Sequence, residues 1–181
     1  LLKNFNNNHS QESIDSAYPI RNDLWMVKNF FNPELLQDIL NQIEIQTEWR
    51  IQEMQELLPR RTLHRTPDGL IDNIWSMLNN LDFSKLGVKF KHVTIWKDSA
   101  GYRIPEHEDN DQVKAAMQIY LNDIPQQLGT WFEEIEVPFI KNTGYIMKNT
   151  NKLRHGMRKA VPAHTTRYSL YAWFDLIESH A

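Results

Sequence analysis

His107 and Asp109, in the run Glu106-His107-Glu108-Asp109-Asn110-Asp111, place an imidazole and a carboxylate two residues apart. Side chains at i and i+2 of an extended chain share a face, so both can reach one metal ion. His155 follows 46 residues beyond Asp109, in Leu153-Arg154-His155-Gly156, and Arg167 comes 12 residues later. Two imidazoles and one carboxylate on one side of a metal leave three positions open, a donor set suited to non-heme Fe(II). A His-x-Asp pair alone is common: Asp109 could solvate a turn and His155 could be an ordinary surface histidine. The ordered combination is more restrictive, with a β-rich gap between His-x-Asp and a lone His, then an Arg opening a strand. His164, three residues before Arg167, rivals His155 as a ligand. His92 reads as a core or pocket-wall residue on the strand face of Phe90, Thr94 and Trp96. His9, His64 and His180 lie outside the β-rich part.

The elements that must position these groups follow from periodicity. Leu24-Trp25-Met26-Val27 reads as a short strand. Asn32-Pro33 is an N-cap and first-turn proline, followed by Leu35, Leu36, Ile39, Leu40 and Ile43 at helical spacing. A second helix is expected from Pro67-Asp68, with Leu70, Ile71, Ile74, Trp75 and Leu78 as its apolar face. From Gly87 onward, short β-branched and aromatic runs alternate with turns: 88–97, 115–122, 129–133, 143–148, 155–161 and 166–175. The expected fold is mainly β with flanking helices (α+β), a jelly roll braced by N-terminal helices. Residues 1–20, rich in Asn, Ser and Gln, are expected to form a flexible arm, and 21–181 a single domain with its β core at about 88–176.

Composition narrows the function classes. The 181 residues are 41% apolar and 24% charged, with a net charge of −3, so no global basic excess points to nucleic acid or an anionic membrane. The absence of cysteine excludes a disulfide scaffold, a thiol nucleophile, a cysteine-ligated zinc site and an iron–sulfur cluster. No apolar run approaches the roughly 20 residues that span a bilayer, and the expected location is cytoplasmic.

On these residues the chain resembles the Fe(II)- and 2-oxoglutarate-dependent dioxygenases, closest to the prolyl 4-hydroxylase-like branch. The likeness covers roughly residues 88–176 and more weakly 24–45. It implies a double-stranded β-helix with His107, Asp109 and His155 holding iron. Arg167 would pair with the distal carboxylate of 2-oxoglutarate. Ile119-Tyr120-Leu121-Asn122 is similar to a strand that, in hypoxia-sensing prolyl hydroxylases, sends a tyrosine hydroxyl to that carboxylate. Thr166-Arg167-Tyr168-Ser169-Leu170-Tyr171-Ala172-Trp173-Phe174 is similar to the last core strand, and Ser169 can add a hydroxyl beside Arg167. Gly129-Thr130-Trp131-Phe132 and Gly144-Tyr145-Ile146 fit the intervening strands. Departures are Trp96, where relatives often carry tyrosine, and the lack of an aromatic in Lys148–Arg154.

The implied reaction consumes O2 and 2-oxoglutarate, releases succinate and CO2, and hydroxylates an aliphatic C–H. The substrate implied is a small molecule or peptide, with a peptidyl proline or amino acid first. Trp96, Tyr102, Trp131 and Trp173 are candidate pocket walls, although core packing is the commoner fate of such rings. Nucleic-acid demethylases of this family usually carry a second Arg six residues after the first. Trp173 stands there, which disfavours a nucleobase, although Arg60, Arg61 and Arg65 keep it open. The alternatives are a non-catalytic jelly-roll binding domain and a cupin-type dioxygenase, in which Arg167 would have no role. Residues 46–66 and 98–106 are the expected lid and lip. Four acids lie within 106–111, whereas 137–174 hold seven Lys or Arg and no acid. This suits a cation site facing an anion site, or ordinary solvated faces.

Overall fold

The computed structural model describes residues 7–51, 59–124 and 128–178. Its elements in chain order are α1 (Asn7–Asp15), β1 (Tyr18–Arg21), β2 (Leu24–Val27), α2 (Pro33–Glu44), β3 (Arg50–Ile51), β4 (Arg60–Leu63) and α3 (Leu70–Asn79). Then follow β5 (Val88–Asp98), β6 (Ala115–Tyr120), β7 (Thr130–Phe132), β8 (Ile135–Val137), β9 (Gly144–Lys148), β10 (His155–Gly156) and β11 (Arg167–Leu176). Eight strands form one antiparallel sheet in the order β1-β2-β9-β6-β11-β5-β4-β3, and three form a smaller sheet, β10-β7-β8. This is the expected mainly β jelly roll with helices on one face.

The two faces of the large sheet have different partners. Leu170, Ala172 and Phe174 of β11, with Val93 and Ile95 of β5, pack on the buried stripes of α2 and α3. The alternate residues, including Tyr171, Tyr120 and Tyr145, face the small sheet and pack with Phe132 and Val137. Each buried Leu or Ile on the helical side contributes roughly 1.5–3 kcal/mol. That layer fixes the sheet whose other face carries the polar residues.

Local signals set the helices. Asn32 accepts a 2.9 Å bond from the Glu34 amide, and Leu35, Leu36, Ile39, Leu40 and Ile43 are all buried. The second helix starts at Leu70 rather than Pro67, because Gly69 takes a left-handed φ of 76° as its N-cap. Asp68 and Thr66 side chains accept from the first-turn amides of Leu70 and Ile71. Its buried face includes Met77 in place of Trp75, which is 40% exposed and rests edge-on against Phe90.

Four further expectations are corrected. Residues 1–20 are not a loose arm throughout. From Asn7 the chain folds as α1 and β1, with Ile14 buried and Ser10 and Ser13 donating to the carbonyls of Phe30 and Lys28. Those bonds, rather than an apolar stripe, dock the helix. Residues 46–66 are not wholly a lid. Arg60–Leu63 form β4, paired with β5 in the main sheet, while 52–58 lie outside the described residues. Phe90 does not share the face of His92 and Thr94. The β5–β11 register skips between His92↔Trp173 and Phe90↔Phe174, and this bulge turns Phe90 onto the helical side. The 155–161 run forms a strand only at His155-Gly156, and β8 completes a hairpin with β7. No helix among the described residues is long and apolar enough to cross a membrane.

Candidate metal centre and its anion pocket

An isolated β-bridge joins His107 to His155, each amide bonding the other's carbonyl at 2.9 Å. It holds the His-x-Asp loop against the end of β10. Gly156 is required there, since a Cβ at that position would lie 2.6 Å from the Pro105 carbonyl oxygen. The Asn149 side chain donates to the carbonyls of Asn110 and Val113 and braces the same loop. The opposite charges read from the sequence meet directly: Arg154 pairs with Glu106 and Glu108, and Lys152 with Asp111.

The bridge brings His107, Asp109 and His155 together, with one ligand atom of each within 4.8 Å of the others. Among the described residues this is the one group of its kind. Asp109 Oδ1 lies 3.4 Å from His107 Nε2 and 3.5 Å from His155 Nε2. Each Nδ1 is 2.9 Å from a backbone carbonyl, of Pro105 for His107 and of Leu153 for His155. Those bonds place the proton on Nδ1 and leave both Nε2 lone pairs free for a cation. Asp109 Oδ2 is buried with no hydrogen-bond partner, an oxygen that lacks only a cation. This donor set fits a divalent transition metal. Burial lowers the His155 pKa, which keeps that ring neutral as a ligand must be. Asp109 raises the His107 pKa. Burial would raise the pKa of Asp109, but protonated imidazole, with Lys152, outweighs it and holds the carboxyl below its ordinary value; a bound cation would take the place of that proton.

The three residues line a cavity of about 370 Å³ between the sheets. That volume lies within the range of small-ligand sites. Arg167 also lines it, fully buried at the start of β11. Its Nε donates to Asp98 Oδ2 at 3.0 Å and its Nη1 to the Leu128 carbonyl at 2.6 Å. Arg60 lies in the same row across the sheet, in register with Asp98, which is in turn in register with Arg167. Neither Arg60 nor Asp98 was singled out by sequence as a site residue. The available signal was an acid ending β5 on the face of Trp96 and Thr94, where an unpaired charge could not be buried.

Other sequence candidates divide. Trp96 and Trp173 line the cavity; Trp96 stacks on Tyr171 at 3.9 Å, and Trp173 meets Tyr171 edge-on. Tyr102 is buried behind Arg60, packing with Leu128, Met157 and Val161, and its hydroxyl pKa is pushed up to about 12 by burial. Trp131 lies outside the lining, under the Arg158 guanidinium at 3.6 Å. The Tyr120 hydroxyl is taken by Thr130 at 2.8 Å, and Ser169 accepts from Gln118 Nε2 at 3.0 Å. Thr130, Gln118 and Tyr145 reach the cavity in front of them. Of the expected lip, Ile104 lines the cavity.

No family model matches the sequence, and no curated protein sequence matches it either. Solved structures do share the fold. The viral collagen prolyl hydroxylase of Paramecium Bursaria Chlorella virus-1, as its 2OG complex, superposes with TM-score 0.57 at 14% identity, covering 91% of this chain and 99% of that one. A Pseudomonas putida prolyl-4-hydroxylase gives 0.57 at 15% identity, covering 92% and 97%. HygX of Streptomyces hygroscopicus, with nickel, 2-oxoglutarate and hygromycin B bound, gives 0.60 at 8% identity, covering 93% and 87%. The likeness is one of fold: the chain has the jelly roll of these 2-oxoglutarate-binding proteins and prolyl hydroxylases.

Proposed function

We propose that the protein is an Fe(II)- and 2-oxoglutarate-dependent dioxygenase that hydroxylates an aliphatic C–H, in a peptidyl proline or an amino acid first. The observation that carries this reading is the Asp109 carboxylate, with Oδ1 within 3.5 Å of both Nε2 atoms and Oδ2 buried and unpartnered, in one cavity with the buried Arg167. His107, Asp109 and His155 would hold the metal, which supplies O2 activation coupled to decarboxylation of 2-oxoglutarate to succinate and CO2. Arg167, its Nε and Nη1 already bonded to Asp98 and Leu128, offers its charge and its unbonded Nη2 to the far carboxylate of that cosubstrate. The Pro105 and Leu153 carbonyls fix both rings so that only Nε2 faces the cavity. The aromatic wall of Trp96, Tyr171 and Trp173 excludes water and offers apolar contact to a ring such as pyrrolidine. The fold shared with two prolyl hydroxylases supports the substrate choice.

The test is succinate release by the Fe(II)-loaded protein, screened over proline-containing peptides, free amino acids and nucleosides. Turnover should be slow with 2-oxoglutarate alone and rise severalfold with a peptide or amino acid. Stimulation by nucleosides alone would sink the substrate reading. No binding of either metal or 2-oxoglutarate would favour the non-catalytic binding domain.

A further inference from the structure

Arg60 and Arg167 face the cavity from two strands that flank the strand of Asp98, and all three side chains are at least 97% buried. Asp98 takes Arg60 through both oxygens, Oδ1 to Nε at 2.6 Å and Oδ2 to Nη2 at 3.0 Å, and shares Oδ2 with Arg167. Asp98 itself does not line the cavity, so the carboxylate stands behind and the guanidiniums stand in front. Among the described residues no other carboxylate pairs with either arginine. Two cations and one anion leave a charge of +1 at this end of the cavity. An uncompensated charge of that depth is costly unless a ligand supplies the partner. Arg60 is also immobilised, its guanidinium 3.7 Å from the Trp96 ring centroid and 4.2 Å from that of Tyr102. No described residue bonds Arg60 Nη1 or Arg167 Nη2, which leaves donors on both for one further anion.

We infer that Arg60 is a second ligand-binding cation of this cavity, sharing one carboxylate with Arg167, and that Asp98 is the positioning residue that aims both. Resting on the proposed cosubstrate, this assigns the far carboxylate of 2-oxoglutarate to a pair of guanidiniums on β4 and β11 rather than to Arg167 alone. The arrangement is the reverse of a simple ion pair: one acid is held inside the protein so that an unbonded Nη of each guanidinium is left for the ligand, with a single net charge between them.

The experiment compares two keto acids on the Mn(II)-loaded protein by calorimetry, 2-oxoglutarate and 2-oxobutanoate, which lacks the far carboxylate. The parent should prefer 2-oxoglutarate. Arg60→Met, which leaves Asp98 paired with Arg167, should lower that preference about tenfold or more while 2-oxobutanoate and Mn(II) bind as before. A structural role alone would weaken both keto acids alike or neither, so an unchanged preference in Arg60→Met overturns the assignment. Should Arg60→Met fail to fold, Arg60→Lys is read by the same ratio. It keeps a charge against Asp98 but lacks the fork, so the preference should fall severalfold, and no fall overturns the inference. A parent that binds neither keto acid removes the cosubstrate reading and this one together, an outcome distinct from a parent that binds and a variant that does not change.

Discussion

His107 and His155 face each other across one antiparallel bridge, each donating its backbone amide to the other's carbonyl at 2.9 Å. The bridge joins a loop to a two-residue strand, and the three candidate ligands depend on it for their spacing. With Nδ1 of each ring held by a carbonyl, backbone geometry sets where both Nε2 atoms point.

Metal binding should therefore follow side chains and bridge separately. Asp109→Ala and His107→Ala each leave two ligands, too few to hold a labile divalent ion. Calorimetric titration with Mn(II) should show one site in the parent and no high-affinity site in either variant. Parental binding in both would mean that the ion sits elsewhere.

Gly156→Ala keeps all three ligands but puts a Cβ 2.6 Å from the Pro105 oxygen and 2.7 Å from the Glu106 nitrogen. These are backbone atoms, so the bridge must open. Mn(II) affinity should fall by about tenfold or more, as for loss of outer support at a metal site. Wild-type affinity together with wild-type thermal stability would show that the bridge does not set the ligand spacing.

The pocket alternation could be read from sequence, because Arg167, Ser169, Tyr171 and Trp173 follow the two-residue period of a strand. The same rule failed at Phe90, where an unsignalled bulge shifts the register by one. The partnership of Arg60 with Asp98 and Arg167 was not legible, since it spans 38 and 69 residues and depends on which strands lie side by side. His155 could be grouped with Asp109 from the order of donors along the chain and from a family likeness, but no local pattern states that a loop will bridge to it. Helix α1 was missed because Ile14 is its one buried aliphatic side chain and serine hydroxyls do the docking.

Tyr120 and Arg167 should separate in a cosubstrate titration. The Tyr120 hydroxyl sits behind Thr130, accepting its amide at 3.1 Å and bonding its hydroxyl at 2.8 Å. Tyr120→Phe should cost about 0.5–1.5 kcal/mol of stability and change 2-oxoglutarate affinity only slightly. Arg167→Met removes a charged fork from the cavity wall and should weaken 2-oxoglutarate by roughly 1.5–3 kcal/mol. Equal losses of affinity in calorimetry would place the Tyr120 hydroxyl on the ligand.

Asp98 gives the acid limb of stability. Burial would raise its pKa, but the Arg60 and Arg167 guanidiniums outweigh burial and hold it below the ordinary carboxylate value. The unfolded chain takes up this proton near pH 3.9, whereas the folded chain resists it to lower pH. Stability from Asp98 is thus fully present above about pH 4 and lost as pH falls through the folded pKa. Asp98→Asn removes the anion from between two guanidiniums and should destabilise the protein by about 3–5 kcal/mol at neutral pH. Urea unfolding from pH 7 down to pH 3 should show the parent losing stability toward acid. The variant should start lower and fall less steeply, because other depressed carboxyls such as Asp109 still titrate. Two curves that run parallel over the whole interval would mean that Asp98 carries no ionised pair with Arg60 and Arg167 in solution.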